Sequence, residues 1–467
     1  MTIKLLDLLS PSQPILYTSI FSFLDPPDIV RLLATCRSLQ LFKYELWNIN
    51  RSLRRFVDDP LAFRSLMARH NALVSGSHAL QFLARVKWPE SDLDVYITGN
   101  EGLVAFADHL VEKEGYNFSP YQWQSKETRT AIPNREEERD AFVKDIFENA
   151  DPNWDPADDT SSERALYLTT DINGVFNFIH PSNKNRKIQL ISARGVPLNA
   201  ILADYYASHI FNIFTWNRAY SFFPYHTFGK KQAYYTQILK GSAQKGVEKY
   251  QERGFEFKHY GSFHKCVKNC PFRPHRRVGD KYSWVLDLDT YGVDDSEVSV
   301  PQDVLETNTW GMKMHYSWWS KDENKRMFRS GRHMDIQYSL LYSEFEPRRG
   351  FSVCSTFRHA RIVDNHSVSW MNFIQTMQST TGGLDQYLIK FAGSKPKDWK
   401  TPDLESKEFW MDNEFASWYQ FWENSLMPYD NVWKWQYPML DGSTETFMGG
   451  IAQQEHVDPE WVECGSS

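Results

Sequence analysis

The chain has 467 residues, of which 41% are hydrophobic and 24% charged, a balance typical of a globular protein with a substantial core. Its formal net charge of -7 argues against a general electrostatic affinity for nucleic acid. The sequence contains no apolar run of about eighteen residues, so no membrane span is predicted. Five cysteines are few and odd in number for this length, which favours a reducing compartment, and we expect a cytoplasmic or nuclear location.

Two short apolar segments near the start of the chain predict a pair of helices, at about 15–24 and 29–39, separated by the breaker Asp25-Pro26-Pro27-Asp28. The segment PILYTSIFSFLDPPDIVRLLATCRSL resembles an F-box over about residues 12–55. This resemblance implies docking to a Skp-type adaptor of a cullin ubiquitin ligase. The implied buried contacts are Pro14, Ile15, Leu24, Pro26 and Ile29. The alternative is a small helical cap on the next domain, since apolar helical stripes more often face their own core.

A glycine-serine pair follows a short apolar strand predicted at 72–75. Gly76 has no side chain, so a ligand can approach its backbone closely, and Ser77 is predicted to cap a helix that runs to about Arg85. The free N–H groups of the first helical turn favour an anion such as a phosphate. Gly-Ser before a helix is also ordinary turn chemistry, so this pair alone does not define a site.

Two aspartates alternate with apolar residues in the next predicted strand. Asp92 and Asp94 share one face with Tyr96, while the residues between and after them point into a core. Carboxylates suit Mg²⁺, which binds through one or two of them together with phosphate oxygens of a substrate. The alternative is a strand whose outer face is wet and carries acids for that reason alone.

The order and spacing of these two motifs resemble the signature of the nucleotidyltransferase superfamily, which has a polymerase-beta-like core. Gly76, Ser77, Asp92 and Asp94 match that signature, and the resemblance covers about residues 66–240. The segments SGSHALQFL and PESDLDVYI are most similar to those of a group of fungal proteins that carry this core and have no assigned substrate. The resemblance implies an α+β fold with a mixed sheet, an NTP bound at Gly76 and Ser77, and catalytic, Mg²⁺-binding roles for Asp92 and Asp94.

Active members of this superfamily require a third carboxylate, on a later strand beside the first two. The strand predicted at 187–191, which pairs with 174–179 through a turn, has Gln189 as its central polar residue. An amide is neutral and a poor base, so catalysis by the usual route is in doubt. Other acids could take that place, although the sequence puts none of them near Asp92: Asp171, Asp204, Asp287 and Asp289.

The segment 126–164 is rich in Glu, Asp, Asn and Pro and predicts an inserted, partly disordered loop, whose charges are those of a solvated surface. Beyond it, 198–214 predicts one apolar helix in which His209 is a core histidine with satisfied hydrogen bonds. Cys266 and Cys270 have the composition of a zinc site, but no second cysteine pair follows, which favours free thiols.

Three regions follow from these patterns: a helical F-box-like module at 1–60, a nucleotidyltransferase-like core at 61–254, and a C-terminal strand-then-helix region at 255–467. The last region is rich in aromatic residues, for which a packed core is a simpler explanation than base stacking. Two functions remain open. The first is an NTP-Mg-binding nucleotidyltransferase, and the second is a noncatalytic F-box substrate receptor of a ubiquitin ligase.

Overall fold

The computed structural model describes residues 19–148, 172–194, 197–236, 242–258, 276–298 and 305–306, together with the backbone of four later strands. Those strands are Thr309–Ser317, Gly331–Gln337, Phe351–Cys354 and His359–Ile362. Several predictions fall outside the described residues. They concern Pro14, Ile15, Asp171, Cys266, Cys270 and the aromatic helices of the last hundred residues.

A series of short helices precedes the sheet. They are α1 Pro26–Ala34, α2 Arg37–Gln40, α3 Phe42–Leu46, α4 Ile49–Leu53 and α5 Pro60–His70. The proline pair separates two helical stretches as predicted, since the first ends at residue 22 and Pro26 opens α1, where Pro is favoured because its missing N–H is not needed. The Asp25 carboxylate accepts a hydrogen bond from the Asp28 N–H and caps this helix.

These N-terminal helices share one continuous core with the sheet rather than forming a separate unit. Ile29 is fully buried in that core, and Pro26 is buried as well. The Trp47 indole donates a hydrogen bond to the Leu83 carbonyl at 3.1 Å and packs edge-on against Trp284. The helices therefore pack as a cap on the rest of the fold. Two of the side chains predicted to contact an adaptor, Pro26 and Ile29, are not accessible to a partner in this packing.

A mixed eight-stranded sheet forms the centre of the fold, with strand order β11-β7-β6-β1-β2-β5-β4-β3. Its strands are β1 Leu73–Ser75, β2 Leu93–Thr98, β3 Asn117–Ser119, β4 Ile172–His180, β5 Asn183–Ala193, β6 Asn212–Phe214, β7 Arg218–Ser221 and β11 Trp284–Asp287. Neighbouring strands are antiparallel except β2 and β5, which are parallel. The predicted α+β class is confirmed at this level.

Helices cover both faces of the sheet. They are α6 Gly76–Ala84, α7 Asn100–Asp108, α8 Thr128–Ala131, α9 Arg135–Glu148, α10 Pro197–Asp204 and α11 Ser242–Glu252. Leu93, Val95 and Ile97 join the larger core, which also holds α6 and the N-terminal cap, whereas Tyr96 joins a second core beside α10. The predicted alternation of β2 is thus observed, but its second face is also covered, because Tyr96 is only 4% exposed.

Two sequence predictions on either side of β4 and β5 were wrong. The charged segment expected to be a loop contains α8 and α9 up to residue 148, and Ala131 and Ile132 are fully buried there. The helix predicted at 198–214 ends at Asp204, since 208–210 forms a 3₁₀ turn and Asn212–Phe214 pairs with β1 and β7. Sheet pairing prevailed over the local helical pattern.

The sheet also continues past the predicted domain boundary at residue 254, because β11 pairs with β7 at its edge. Three smaller sheets lie elsewhere in the described residues: β8 Gln232–Tyr234 with β9 Glu256–Lys258, β10 Arg276–Arg277 with strands β12 and β13, and β14 with β15. Here β12 to β15 are the four later strands in chain order. None of the helices described has the length and apolar character that a bilayer crossing requires.

Candidate functional site

The first turn of α6 lies directly against the second aspartate of the predicted motif. Gly76 has a φ of +74°, a conformation that favours glycine, and a side chain placed there would collide with Oδ2 of Asp94. Ser75 pairs with Asp94 across β1 and β2, which explains this proximity. The glycine turn and the Asp94 carboxylate are therefore adjacent, which is the arrangement that the predicted site requires.

The helix cap differs from the sequence prediction. The helix begins at Gly76, so Ser75 rather than Ser77 is its N-cap residue, and the Ser75 hydroxyl donates to the Asn212 carbonyl at 2.7 Å instead of capping. Ser77 is the second helical residue and is partly exposed. First-turn N–H groups have no partners within a helix, so those of Gly76 and Ser77 are the groups that an anion at this helix end would contact.

A row of polar residues crosses four strands on the face of the sheet that carries Asp94. Ser75 on β1 pairs with Asp94 on β2, which pairs with Gln189 on β5, which pairs with Asn177 on β4. Side chains of directly paired residues lie on the same face, about 5 Å apart. Gln189 therefore occupies the position beside Asp94 at which the superfamily resemblance implies a third carboxylate.

The Gln189 amide is held by a hydrogen bond and is not suited to a catalytic role. Its Nε2 donates to Oδ1 of Asn177 at 2.7 Å, so one hydrogen bond joins the two amides across β4 and β5. A neutral amide adds no negative charge to the site and does not accept a proton from a hydroxyl group. Within the described part of the chain, no cluster of three or more His, Cys, Asp or Glu side chains has the arrangement of a metal site.

Two of the replacement acids considered from the sequence lie far from Asp94. Asp287 is on β11, at the sheet edge, where it pairs with Arg218 at 3.1 Å and Lys43 at 3.5 Å. Three strands separate β11 from β2, which corresponds to a distance of about 19 Å. Asp289 lies two residues beyond β11, and its side chain accepts a hydrogen bond from the Tyr291 N–H. Neither supplies the missing carboxylate, and the side chain of Asp204 is not among those described.

The pKa of Asp94 reflects both its burial and the charged groups around it. Its pKa is raised to about 7, first by burial and then by the neighbouring Asp92 carboxylate, while the ammonium groups of Lys187 and Lys249 oppose both effects. Burial and Asp94 also raise the pKa of Tyr205 well above its ordinary range. Near pH 7 the Asp94 carboxyl is therefore poised between its neutral and ionised forms.

Sequence reasoning missed both lysines. The Lys187 ammonium lies 3.0 Å from Oδ2 of Asp92 and forms a partly exposed ion pair with it. Its position two residues before Gln189 was a usable signal, since alternate residues of a strand share a face. Lys249 belongs to α11, far along the chain, and nothing in the sequence connects it with Asp94.

Two arginines hold the segment before Asp92 in place. Arg55 donates from Nη2 to the carbonyl groups of Trp88 at 2.6 Å, Pro89 at 2.7 Å and Ser91 at 3.1 Å. Arg253, just beyond α11, stacks over the Trp88 ring at 3.8 Å and pairs with Glu90 at 2.7 Å. These contacts tie the N-terminal cap and α11 to the same loop, so Asp92 and Lys249 are positioned by one network.

His209 is buried as predicted, but the prediction that its hydrogen bonds are satisfied was wrong. It is fully buried, and both of its ring nitrogens lack a hydrogen-bond partner among the described residues. Its neighbours are the aromatic rings of Tyr206, Tyr250, Phe255 and Phe257, at centroid distances of 4.3 to 6.2 Å. Burial lowers the pKa of His209 to about 3, because a charged imidazole is poorly solvated there.

Comparison of the chain with family models, curated proteins and solved structures finds no match.

Proposed function

We propose that this protein binds a nucleoside triphosphate together with Mg²⁺, on a nucleotidyltransferase-like core that lacks the means for turnover. The phosphates would lie against the first turn of α6, at Gly76 and Ser77. Asp92 and Asp94 would hold the Mg²⁺ through their carboxylate oxygens. The donor set fits this ion, because Mg²⁺ is commonly held by one or two carboxylates and completed by phosphate oxygens and water.

The observation that carries this proposal is the contact between Gly76 and Asp94. The missing side chain at residue 76 leaves backbone N–H groups and a carboxylate side by side, which suits a phosphate and its counter-ion. The Lys249 ammonium, which acts on Asp94 across the site, supplies a further positive charge for the phosphates. Backbone N–H groups for the phosphates, a carboxylate for the metal ion and an ammonium group thus come from α6, β2 and α11 respectively.

Gln189 is the reason that we propose binding without turnover. Bound Mg²⁺ would neutralise phosphate charge, but transfer to a hydroxyl group also requires that the hydroxyl lose its proton. The Gln189 amide, hydrogen-bonded to Asn177, has no basic atom for that role. A receptor that responds to nucleotide level is consistent with such a site, since an intact aspartate pair still holds a metal nucleotide.

Calorimetry with the four ribonucleoside triphosphates tests the proposal directly. We expect the full chain to bind at least one of them in the presence of Mg²⁺, and to lose this binding when Asp92→Ala and Asp94→Ala are combined. Asp287→Ala is the matched control, because this acid lies on β11 at the sheet edge. Absence of binding by the unmodified chain, or binding that survives the double substitution, would refute the proposal.

A second candidate function is the noncatalytic receptor that docks a ubiquitin ligase adaptor through the N-terminal helices. Phe23 and Leu41 favour it, because these large apolar side chains of the cap are 87% and 73% exposed. We expect a pull-down with a Skp-type adaptor to recover the chain, and Phe23→Asp with Leu41→Asp to abolish recovery. The exposed Tyr291, on another part of the chain, provides the control Tyr291→Asp.

A further inference from the structure

We infer that the Lys187 ammonium takes the place of a second metal ion at this site, so that the nucleotide binds with a single metal ion. The inference rests on the proposed function, since it concerns the same site. It defines the ligand class more closely, as a nucleoside triphosphate that carries one Mg²⁺ and meets a protein ammonium group on the other side of Asp92.

The position of Lys187 supports this inference. Its ammonium lies 3.0 Å from Oδ2 of Asp92, and the two side chains of this ion pair are only 32% and 31% exposed. Lys187 and Gln189 are alternate residues of β5 and share the face of the sheet that carries Asp94. Lys187 therefore lies on the strand that would carry a third acid, two residues before Gln189, and its side chain reaches Asp92 on β2.

The charges of the site lead to the same conclusion. Two-metal sites place their ions about 4 Å apart and need carboxylates enough for both. Here β5 offers a lysine and a glutamine in place of an acid, and the described residues contain no metal-binding cluster of three. An ammonium group supplies positive charge and three hydrogen-bond donors without needing ligands of its own. While it pairs with Asp92, that carboxylate is not free to bind a second ion.

Counting bound Mn²⁺ by electron paramagnetic resonance tests the inference. The probe is Mn²⁺ with the nucleotide that binds in calorimetry, in its non-hydrolysable α,β-methylene form. We expect one Mn²⁺ per chain for the unmodified protein and for Gln189→Asp, which retains Lys187. Lys187→Ala combined with Gln189→Asp should bind two, because the third carboxylate is then present and Asp92 is released.

The matched control combines Gln189→Asp with Lys184→Ala, which removes an exposed lysine at the start of the same strand and should leave one ion bound. Two ions in any variant that retains Lys187, or one ion in the folded Lys187→Ala, Gln189→Asp variant, would overturn the inference. Nucleotide binding without any metal ion would overturn it as well.

A second measurement needs neither nucleotide nor a new acid, so it decides the inference even where the double variant does not fold. Lys187→Met should bind Mn²⁺ alone about fivefold more tightly than the unmodified chain, because the ion no longer competes with an ammonium for Asp92. Equal affinities would contradict the inference. Complete absence of nucleotide binding would instead refute the proposed function, and this Mn²⁺ comparison would still stand as a separate result.

Discussion

Oδ2 of Asp94 occupies the space that a Cβ atom at residue 76 would need, so a side chain fits there only if the Asp94 carboxylate moves. Gly76 is the first residue of α6 and Asp94 the second of β2, so this contact joins the helix turn to the aspartate strand. Two separate features therefore favour glycine at residue 76: its positive φ and the lack of space for a side chain.

Gly76→Ala should therefore destabilise the fold more than an equivalent change elsewhere. We expect a loss of about 3 kcal/mol in the free energy of unfolding, from backbone strain together with the clash. Gly99→Ala is the matched control, since Gly99 also has a positive φ but a Cβ atom added there would meet nothing within 4 Å, and it should cost only about 1 kcal/mol. Urea unfolding of both variants measures this difference.

A double-mutant cycle separates the two causes at Gly76. In an Asp94→Ala background the clash is absent, so Gly76→Ala should cost no more than Gly99→Ala does in the unmodified chain. Equal costs for Gly76→Ala in both backgrounds would show that Asp94 does not limit the space at this turn.

Asp94→Asn should make the fold more stable at alkaline pH. The folded-state pKa of Asp94 is raised from 3.8 to about 7, so the folded state holds its proton more tightly and its stability falls as pH rises through that window. The gain in the free energy of unfolding from Asp94→Asn should be larger at pH 8 than at pH 4 by on the order of 3 kcal/mol. The measurement is the free energy of unfolding of both proteins at the two pH values.

Asp287→Asn provides the control for that experiment. Asp287 lies on β11 at the sheet edge and is paired with Arg218 and Lys43, so its replacement should cost at most about 1 kcal/mol and leave the pH dependence that comes from Asp94 unchanged. If Asp94→Asn shows no gain at pH 8 over the unmodified chain, the carboxyl group is ionised at neutral pH and the electrostatic description of the site is incorrect.

His209→Phe should weaken the acid sensitivity of the fold. The pKa of His209 is lowered in the folded state from its ordinary value of 6.5 to about 3. Its full contribution to stability is therefore present above pH 6.5, and that contribution is lost progressively as the pH falls below 6.5. Between pH 7 and pH 4.5 the unmodified chain should lose about 2.7 kcal/mol more than the variant does. Unfolding curves with equal pH dependence in the two proteins would show that His209 is solvated.

Lys249→Met should weaken nucleotide binding without disturbing the fold. Its ammonium acts on the Asp94 side of the site, so its removal should reduce Mg-nucleotide affinity by about 1 kcal/mol, or roughly fivefold. Lys245→Met, an exposed lysine of the same helix, is the control. Calorimetric affinities that fall equally in both variants would indicate general electrostatics rather than a specific contact.

Local patterns predicted the part of the site that lies within a short stretch of chain. The alternation of β2 and the glycine before α6 placed Gly76 and Asp94, and strand pairing of β5 placed Gln189. These features depend on the period of a strand and on backbone conformation, both of which are visible in neighbouring residues.

Features that depend on distant contacts were missed. Lys249 approaches Asp94 only because α11 folds back over the loop that carries Trp88, through Arg253. The helix predicted at 198–214 ended early because Asn212–Phe214 completes a sheet between β1 and β7. In both cases tertiary packing decided the outcome, and no local pattern contains that information.

The most direct test of the proposed nucleotide site is a crystal structure of the full chain with Mn²⁺ and the α,β-methylene form of the nucleotide that binds in calorimetry. We predict an anomalous Mn²⁺ peak bound by the carboxylates of Asp92 and Asp94, with phosphate oxygens on the backbone N–H groups of Gly76 and Ser77. A nucleotide bound elsewhere, or an unoccupied pocket at saturating nucleotide and metal, would contradict this account.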